Sequence, residues 1–222
     1  MLLLAIAAAP VIYLLFWFYH KDKFDKEPLR MLFFAFLGGC VSIFPAILFE
    51  GLWQHYGFTE AGSNLYLAFY AYIVVGFSEE ISKFFFVRRI MKKSYVDEPY
   101  DGILYSVMVS LGFAFIENVF YVFEHGSGVG IMRAFTAVPA HTTFAAVMGY
   151  FLAKAKFNGN HTFNTLLGIG GAVVLHGSYD YFLFINNIPL IQLGAIVSLI
   201  LGVWLTRKAI KIHNDSSPFR NL

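Results

Sequence analysis

Seven stretches of about twenty mostly apolar residues occupy this chain, and each is long enough to cross the hydrocarbon core of a bilayer as a helix. They run over roughly 2–19, 31–53, 65–87, 103–123, 134–153, 165–185 and 188–206. Of the 222 residues, 58% are hydrophobic and only 14% are charged, against about 25% charged in a soluble domain. Those proportions exclude a soluble globular enzyme, a nucleic-acid binder and a disordered chain. The net charge of +2 singles out no acidic partner. The period-2 alternation of a membrane β-barrel is absent. A lone cysteine, Cys40, excludes both a disulfide framework and a cysteine-based metal site.

The sequence therefore predicts an all-α integral membrane protein. It forms a single bundle of seven or eight transmembrane helices over 1–206, with a short cytoplasmic tail at 207–222. The longest connection, Arg88 to Gly102, is too short for a core of its own. Asn186, Asn187 and a turn around Pro189 should close the last two stretches into a tight hairpin. Residues 1–19 read as a retained first helix, because Ala7-Ala8-Ala9 lies too early for a cleavage site and no basic residue precedes the apolar run.

Basic residues set the orientation. Lys21, Lys23, Lys26 and Arg30 lie in the first connection, and Arg88, Arg89, Lys92 and Lys93 in the third. Lys154 and Lys156 lie in the fifth, and Arg207, Lys208, Lys211 and Arg220 in the tail. The opposite side holds only Arg133. The N-terminus is thus expected outside and the C-terminus in the cytoplasm.

An ionisable side chain at bilayer depth costs at least ~2.5 kcal/mol, so each one needs a reason. His20, His55, His125, His161 and His213 sit at helix ends or in connections and need none. The third stretch, however, carries Glu79, Glu80 and Lys83, and the fourth carries Glu117. The fifth carries His141 just after Pro139, and the sixth carries His176 and Asp180. Packing explains some of these singly. Glu79 with Lys83, and His176 with Asp180, are four apart and face the same way on a helix. Glu117 reads as a carboxylic acid bonding a neighbouring helix, and a carbonyl freed by Pro139 offers His141 a local partner. Packing does not readily explain seven such groups on four successive helices.

At 1.5 Å per residue from the cytoplasmic ends, the two glutamates of the third stretch lie roughly 13 Å deep, and Glu117, His141, His176 and Asp180 roughly 17–23 Å deep. Those heights fit one polar cavity. Gly76, Ser78, Gly112, Ala114, Gly177 and Ser178 would let the helices close around it. Carboxylates and histidines in a dry bundle suit two chemistries. One is peptide hydrolysis, in which a glutamate takes a proton from water while histidines polarise the carbonyl or hold a metal. The other is proton or ion transport through the same groups. Neither an HExxH nor a GxSxG motif is present. An inverted repeat of the kind transporters use is also absent.

Four motifs in order carry a resemblance. They are FYHKDKFDKEP at 18–28, Glu-Glu-x-x-Lys at 79–83, YDGILYSVMVSLGFAFIENVFY at 100–121, and the Pro-x-His of the fifth stretch followed by LHGSYD at 175–180. With these the chain resembles the PrsW membrane proteases of Gram-positive bacteria, relatives of the CAAX prenyl proteases. Two departures from the wider CAAX pattern point to the PrsW branch and away from a prenylated substrate. Lys83 stands one position earlier than that pattern's arginine, and Glu117 stands where it has histidine. The resemblance implies a CAAX-protease-like fold and a multi-pass protein of the bacterial cell membrane. It also implies a membrane-embedded endopeptidase that makes the first cleavage of a transmembrane anti-sigma factor. Glu79 or Glu80 would activate water; Glu117, His141 and His176 would bind the oxyanion or a metal such as Zn²⁺; Asp180 would orient His176.

Overall fold

The computed structural model describes residues 1–185 and 189–221. Every regular element among them is helical: α1 (Leu2–Lys21), α2 (Leu29–His55), α3 (Asn64–Phe69), a π-helical segment (Tyr70–Phe77), α4 (Ser78–Met91), α5 (Pro99–His125), α6 (Ser127–Phe135), α7 (Ala137–Phe157), α8 (His161–Phe184) and α9 (Pro189–Asp215). Helix is the only backbone form here that satisfies its own hydrogen bonds without water. The expected hairpin turn through Asn186 and Asn187 lies outside the described residues; Pro189 opens α9, where its missing N–H costs nothing.

Four helices are long and apolar enough to cross a membrane on those grounds alone: α1, α2, α5 and Gln192–Asp215 of α9. The expected spans at 65–87, 134–153 and 165–185 correspond to α3 through α4, to α7 and to α8. The polar residues they carry are turned inward. The nine-residue α6 was not expected from the sequence, and it is too short to cross a bilayer. The last helix runs past residue 206 through its basic residues to Asp215.

α5 is the central post. Every residue from Pro99 to Ala114 is buried, packed between α1, α2 and α7, while α7 also packs on α8. Small residues make this possible. A Cβ on Gly112 would lie 2.0 Å from the Phe36 carbonyl oxygen, and one on Gly39 would lie 1.9 Å from that of Val109. The two helices therefore touch backbone to backbone. The outer faces present Phe33, Phe34, Phe44, Leu48, Ile196, Ile200 and Trp204, as a surface solvated by lipid should.

The connections rich in basic residues gather at one end. There Lys156 Nζ donates to the Lys93 carbonyl at 2.8 Å, Tyr100 Oη donates to Phe18 O at 2.7 Å, and Asn214 Nδ2 donates to Lys21 O at 3.2 Å. At mid-sequence the chain goes from α3 through the π segment into Ser78-Glu79-Glu80. Its wider turns offset the carboxylates from the phase that a continuous α-helix would give them, and such segments recur at functional sites.

Candidate active site

α4 supplies three charged groups from a single turn. Lys83 Nζ lies 3.0 Å from Glu79 Oε2 and 2.8 Å from Glu80 Oε1, because both i–4 and i–3 fall on its side of the helix. The ammonium also sits 3.3 Å from His141 Nδ1 and 4.1 Å from the centroid of the Phe113 ring. Glu80 and Lys83 are 0% and 1% exposed. One buried ammonium therefore neutralises part of a two-carboxylate charge and receives a cation–π contact in addition.

α8 brings His176 onto this pair. Its Nδ1 lies 2.9 Å from Glu80 Oε1, and its Nε2 lies 3.2 Å from Asp180 Oδ2 one turn along the same helix. Phe144 of α7 stacks on the imidazole at 4.7 Å. α7 supplies His141, whose ring centroid is 5.3 Å from that of His176 and whose Nε2 lies 2.8 Å from Glu117 Oε2 on α5. The partners of the His141 ring are thus Glu117 and Lys83, and not a carbonyl freed by Pro139. That proline stands in the first turn of α7, where its absent N–H leaves no intrahelical bond unmade.

Glu117 has a second partner, Arg133 of α6, at 2.8 Å. Arg133 Nε donates to Asn118 Oδ1 at 3.0 Å, and Asn118 Nδ2 donates to the Ala7 carbonyl at 3.1 Å. The guanidinium also lies 3.9 Å from the centroid of the Tyr121 ring. The single Lys or Arg on the side expected to be extracytoplasmic is therefore the counter-charge of a buried carboxylate.

A cavity of about 750 Å³ opens onto these groups. Glu79, Glu117, His141, His176 and Asp180 line it, whereas Glu80 and Lys83 lie behind the wall. All six expected catalytic residues fall in one connected network, but their access to the cavity differs. Glu50, Glu60, Arg133 and Tyr179 also line it; of these the sequence singles out only Arg133, and as a topological exception rather than a site residue. Glu50 had a legible signal, as a carboxylate inside the apolar stretch 31–53. At Glu60, in the connection before α3, desolvation first and the Asp180 charge second push the carboxyl up from its ordinary value.

Single donor atoms from Glu79, Glu80, His141 and His176 all lie within 4.8 Å of one another. Glu80 Oε2 is buried with no partner. Two oxygens and two imidazole nitrogens are a donor set that suits Zn²⁺ and similar divalent ions, so the residues fit such an ion, with the Lys83 ammonium as its competitor. Glu117, which the resemblance places with His141 and His176 as a possible metal ligand, is engaged by Arg133 and His141 and stands outside that group.

A helical membrane bundle with clustered glutamates and histidines lining a cavity has the equipment of an intramembrane peptidase. The comparisons agree. The model of the PrsW family intramembrane metalloproteases matches residues 27–206, and the chain belongs to that family. Protease PrsW of Clostridioides difficile (strain 630) is 35% identical over 83% of this chain and 80% of its own. That of Bacillus subtilis (strain 168) is 35% identical over 79% of each. The one from Halalkalibacterium halodurans is 31% identical over 96% of this chain and 97% of its own. The protein is a membrane peptidase. No solved structure matches it.

Proposed function

We propose that the chain makes the first, site-1 cut in a single-span anti-sigma factor. It would act in the bacterial cell membrane, with its N-terminus outside and its C-terminus in the cytoplasm. The reaction we assign is attack of glutamate-activated water on a peptide carbonyl. The observation behind it is the position of Glu79, whose side chain lines the cavity while Lys83, 3.0 Å away, supplies the counter-charge from behind.

Glu79 accepts a proton as the water oxygen adds to the carbonyl carbon, and it returns that proton to the amide nitrogen as the C–N bond breaks. The developing oxyanion needs a preorganised donor. His176 lies 2.9 Å from Glu80 through Nδ1, and 3.2 and 3.9 Å from Asp180 and Glu79 through Nε2; we assign its Nε2–H, at the cavity wall, as the donor to the oxyanion, with Glu80 holding the ring from its other side. Glu117 and Arg133 fix His141 from its far side. In place of the Lys83 ammonium and of the His176 N–H, a divalent ion held by Glu79, Glu80, His141 and His176 would polarise the carbonyl and acidify bound water. The anti-sigma substrate is inferred from the family resemblance.

The test is cleavage of a tagged single-span anti-sigma factor co-expressed with wild type, Glu79→Gln or His176→Ala at matched levels, with metal analysis of each purified protein. Loss of the cleaved product in both folded variants is expected. Full cleavage by Glu79→Gln would remove the assignment.

A further inference from the structure

A second group of carboxylates lies at the end of the bundle where the basic connections gather. Asp22 and Glu27 belong to the connection between α1 and α2, Asp97 and Glu98 to that between α4 and α5, and Asp101 to the first turn of α5. Counted along α5 at 1.5 Å per residue, Asp101 stands about 24 Å from Glu117. This is a different place from the peptidase site. Asp22, Glu27, Glu98 and Asp101 are between 0% and 5% exposed, and Asp97 is open to solvent.

Among the described residues, none of these five carboxylates forms an ion pair. The nearby lysines are committed elsewhere. Lys26 Nζ donates to the carbonyls of Tyr19, at 2.7 Å, and of Asp22, and Lys156 Nζ donates to that of Lys93. Local donors reach only one side of the cluster. Asp101 Oδ2 accepts the main-chain N–H groups of Asp97 and Glu98 at 2.8 and 2.9 Å. Glu27 accepts the hydroxyl of Tyr105, Glu98 accepts that of Ser217, and Asp22 Oδ2 accepts the N–H of Glu27 at 3.3 Å. Asp22 Oδ1, Glu98 Oε1 and Asp101 Oδ1 are left buried without any partner. A buried carboxylate oxygen so stranded costs roughly 1–3 kcal/mol or more, and like charges in a low dielectric add to that.

Single donor oxygens of Glu27, Asp97 and Asp101 lie within 4.8 Å of one another. We propose that these three residues hold a divalent cation, approached from the solvent side of Asp97. Oxygen donors without nitrogen or sulfur select a hard ion, Mg²⁺ or Ca²⁺, rather than Zn²⁺. Such an ion ties the connection after α1 to the connection that leads from α4, with its Glu79, Glu80 and Lys83, into α5. Ser217 attaches the C-terminal segment to the same assembly through Glu98.

The test uses the full chain purified in neutral detergent, stripped with EDTA and titrated separately with MgCl₂ and CaCl₂. Calorimetry reads binding, and the shift in thermal unfolding midpoint provides a second readout. One saturable equivalent with a raised midpoint is expected, and the tighter of the two salts identifies the ion. Asp97→Asn, an exposed change, and Asp101→Asn, whose amide oxygen still accepts both main-chain N–H groups, should each weaken binding by about tenfold or more. Glu79→Gln should leave it unchanged. Absence of saturable binding, or binding that survives both asparagine variants, would overturn the proposal and leave shared protons as what reconciles these carboxyls. Binding lost in Glu79→Gln would also overturn it and assign the ion to the peptidase cluster.

Discussion

Nδ1 of His176 lies 2.9 Å from Oε1 of Glu80, joining α8 to α4 across 96 residues of sequence. Glu80 is fully enclosed and absent from the cavity wall, while its neighbour Glu79 lines it. Adjacent helical residues point about 100° apart, so one glutamate serves the substrate and the other the scaffold. Glu79→Gln should lower cleavage of a single-span substrate by about 10³-fold, within the range for a lost general base. Glu80→Gln keeps an amide oxygen for Lys83 and His176 and should cost less. Single-turnover cleavage in detergent measures both, and equal rates for Glu79→Gln and wild type would reject the division of roles.

Lys83 holds two buried carboxylates at 2.8 and 3.0 Å. Lys83→Met strands both and should destabilise the bundle by about 3–5 kcal/mol. Adding Glu79→Gln and Glu80→Gln to that variant should restore a large part of the loss, since no buried charge then lacks its partner. Denaturant unfolding in mixed micelles measures the cycle. Lys83→Arg should not substitute well, because a planar guanidinium does not fit a space shaped for a point charge.

Arg133 reaches Glu117 with one nitrogen and Asn118 with another. Lysine has a single head group and cannot span both. Arg133→Lys should therefore release Glu117 from its fixed position, loosen His141 and lower cleavage by about 10-fold to 100-fold, with a smaller change in unfolding midpoint. Asn118→Ala should lie between that variant and wild type. The ordering of the three rates is the check, and Arg133→Lys at wild-type rate would contradict it.

Contacts within one helix were legible in the sequence; contacts between helices were not. Glu79 with Lys83, and His176 with Asp180, follow from four-residue spacing, and the structure has them at 3.0 and 3.2 Å. Glu80 has no partner at four-residue spacing, yet its i–3 relation to Lys83 and a histidine from α8 supply two. Depth counting put Glu117, His141 and His176 at compatible heights, but it carries no information about rotation around a helix axis. The His141–Glu117 pairing and the separation of Glu79 from Glu80 at the cavity wall therefore emerge only on packing. Arg133 was visible as a topological exception, and its role depends on α6, a helix too short to register against hydropathy. The burial of Asp22, Glu98 and Asp101 is not legible in the sequence, because burial at a bundle end comes from the neighbouring connections rather than from local composition.

The backbone contact between α2 and α5 gives a prediction independent of the chemistry. A Cβ on Gly112 would stand 2.0 Å from Phe36 O, and one on Gly39 would stand 1.9 Å from Val109 O. Both obstacles are main-chain atoms, which cannot rotate aside as a side chain would. Gly112→Ala or Gly39→Ala must therefore push the helices apart over a contact that is buried along its length, losing packing on both sides. Either change should destabilise by at least about 2 kcal/mol. Gly170→Ala, on α8 with no atom within 4 Å of the added methyl, should be neutral or slightly stabilising through helix propensity. Thermal unfolding of the three variants beside wild type measures the contrast. Unchanged midpoints for Gly39→Ala and Gly112→Ala would mean that α2 and α5 do not approach so closely.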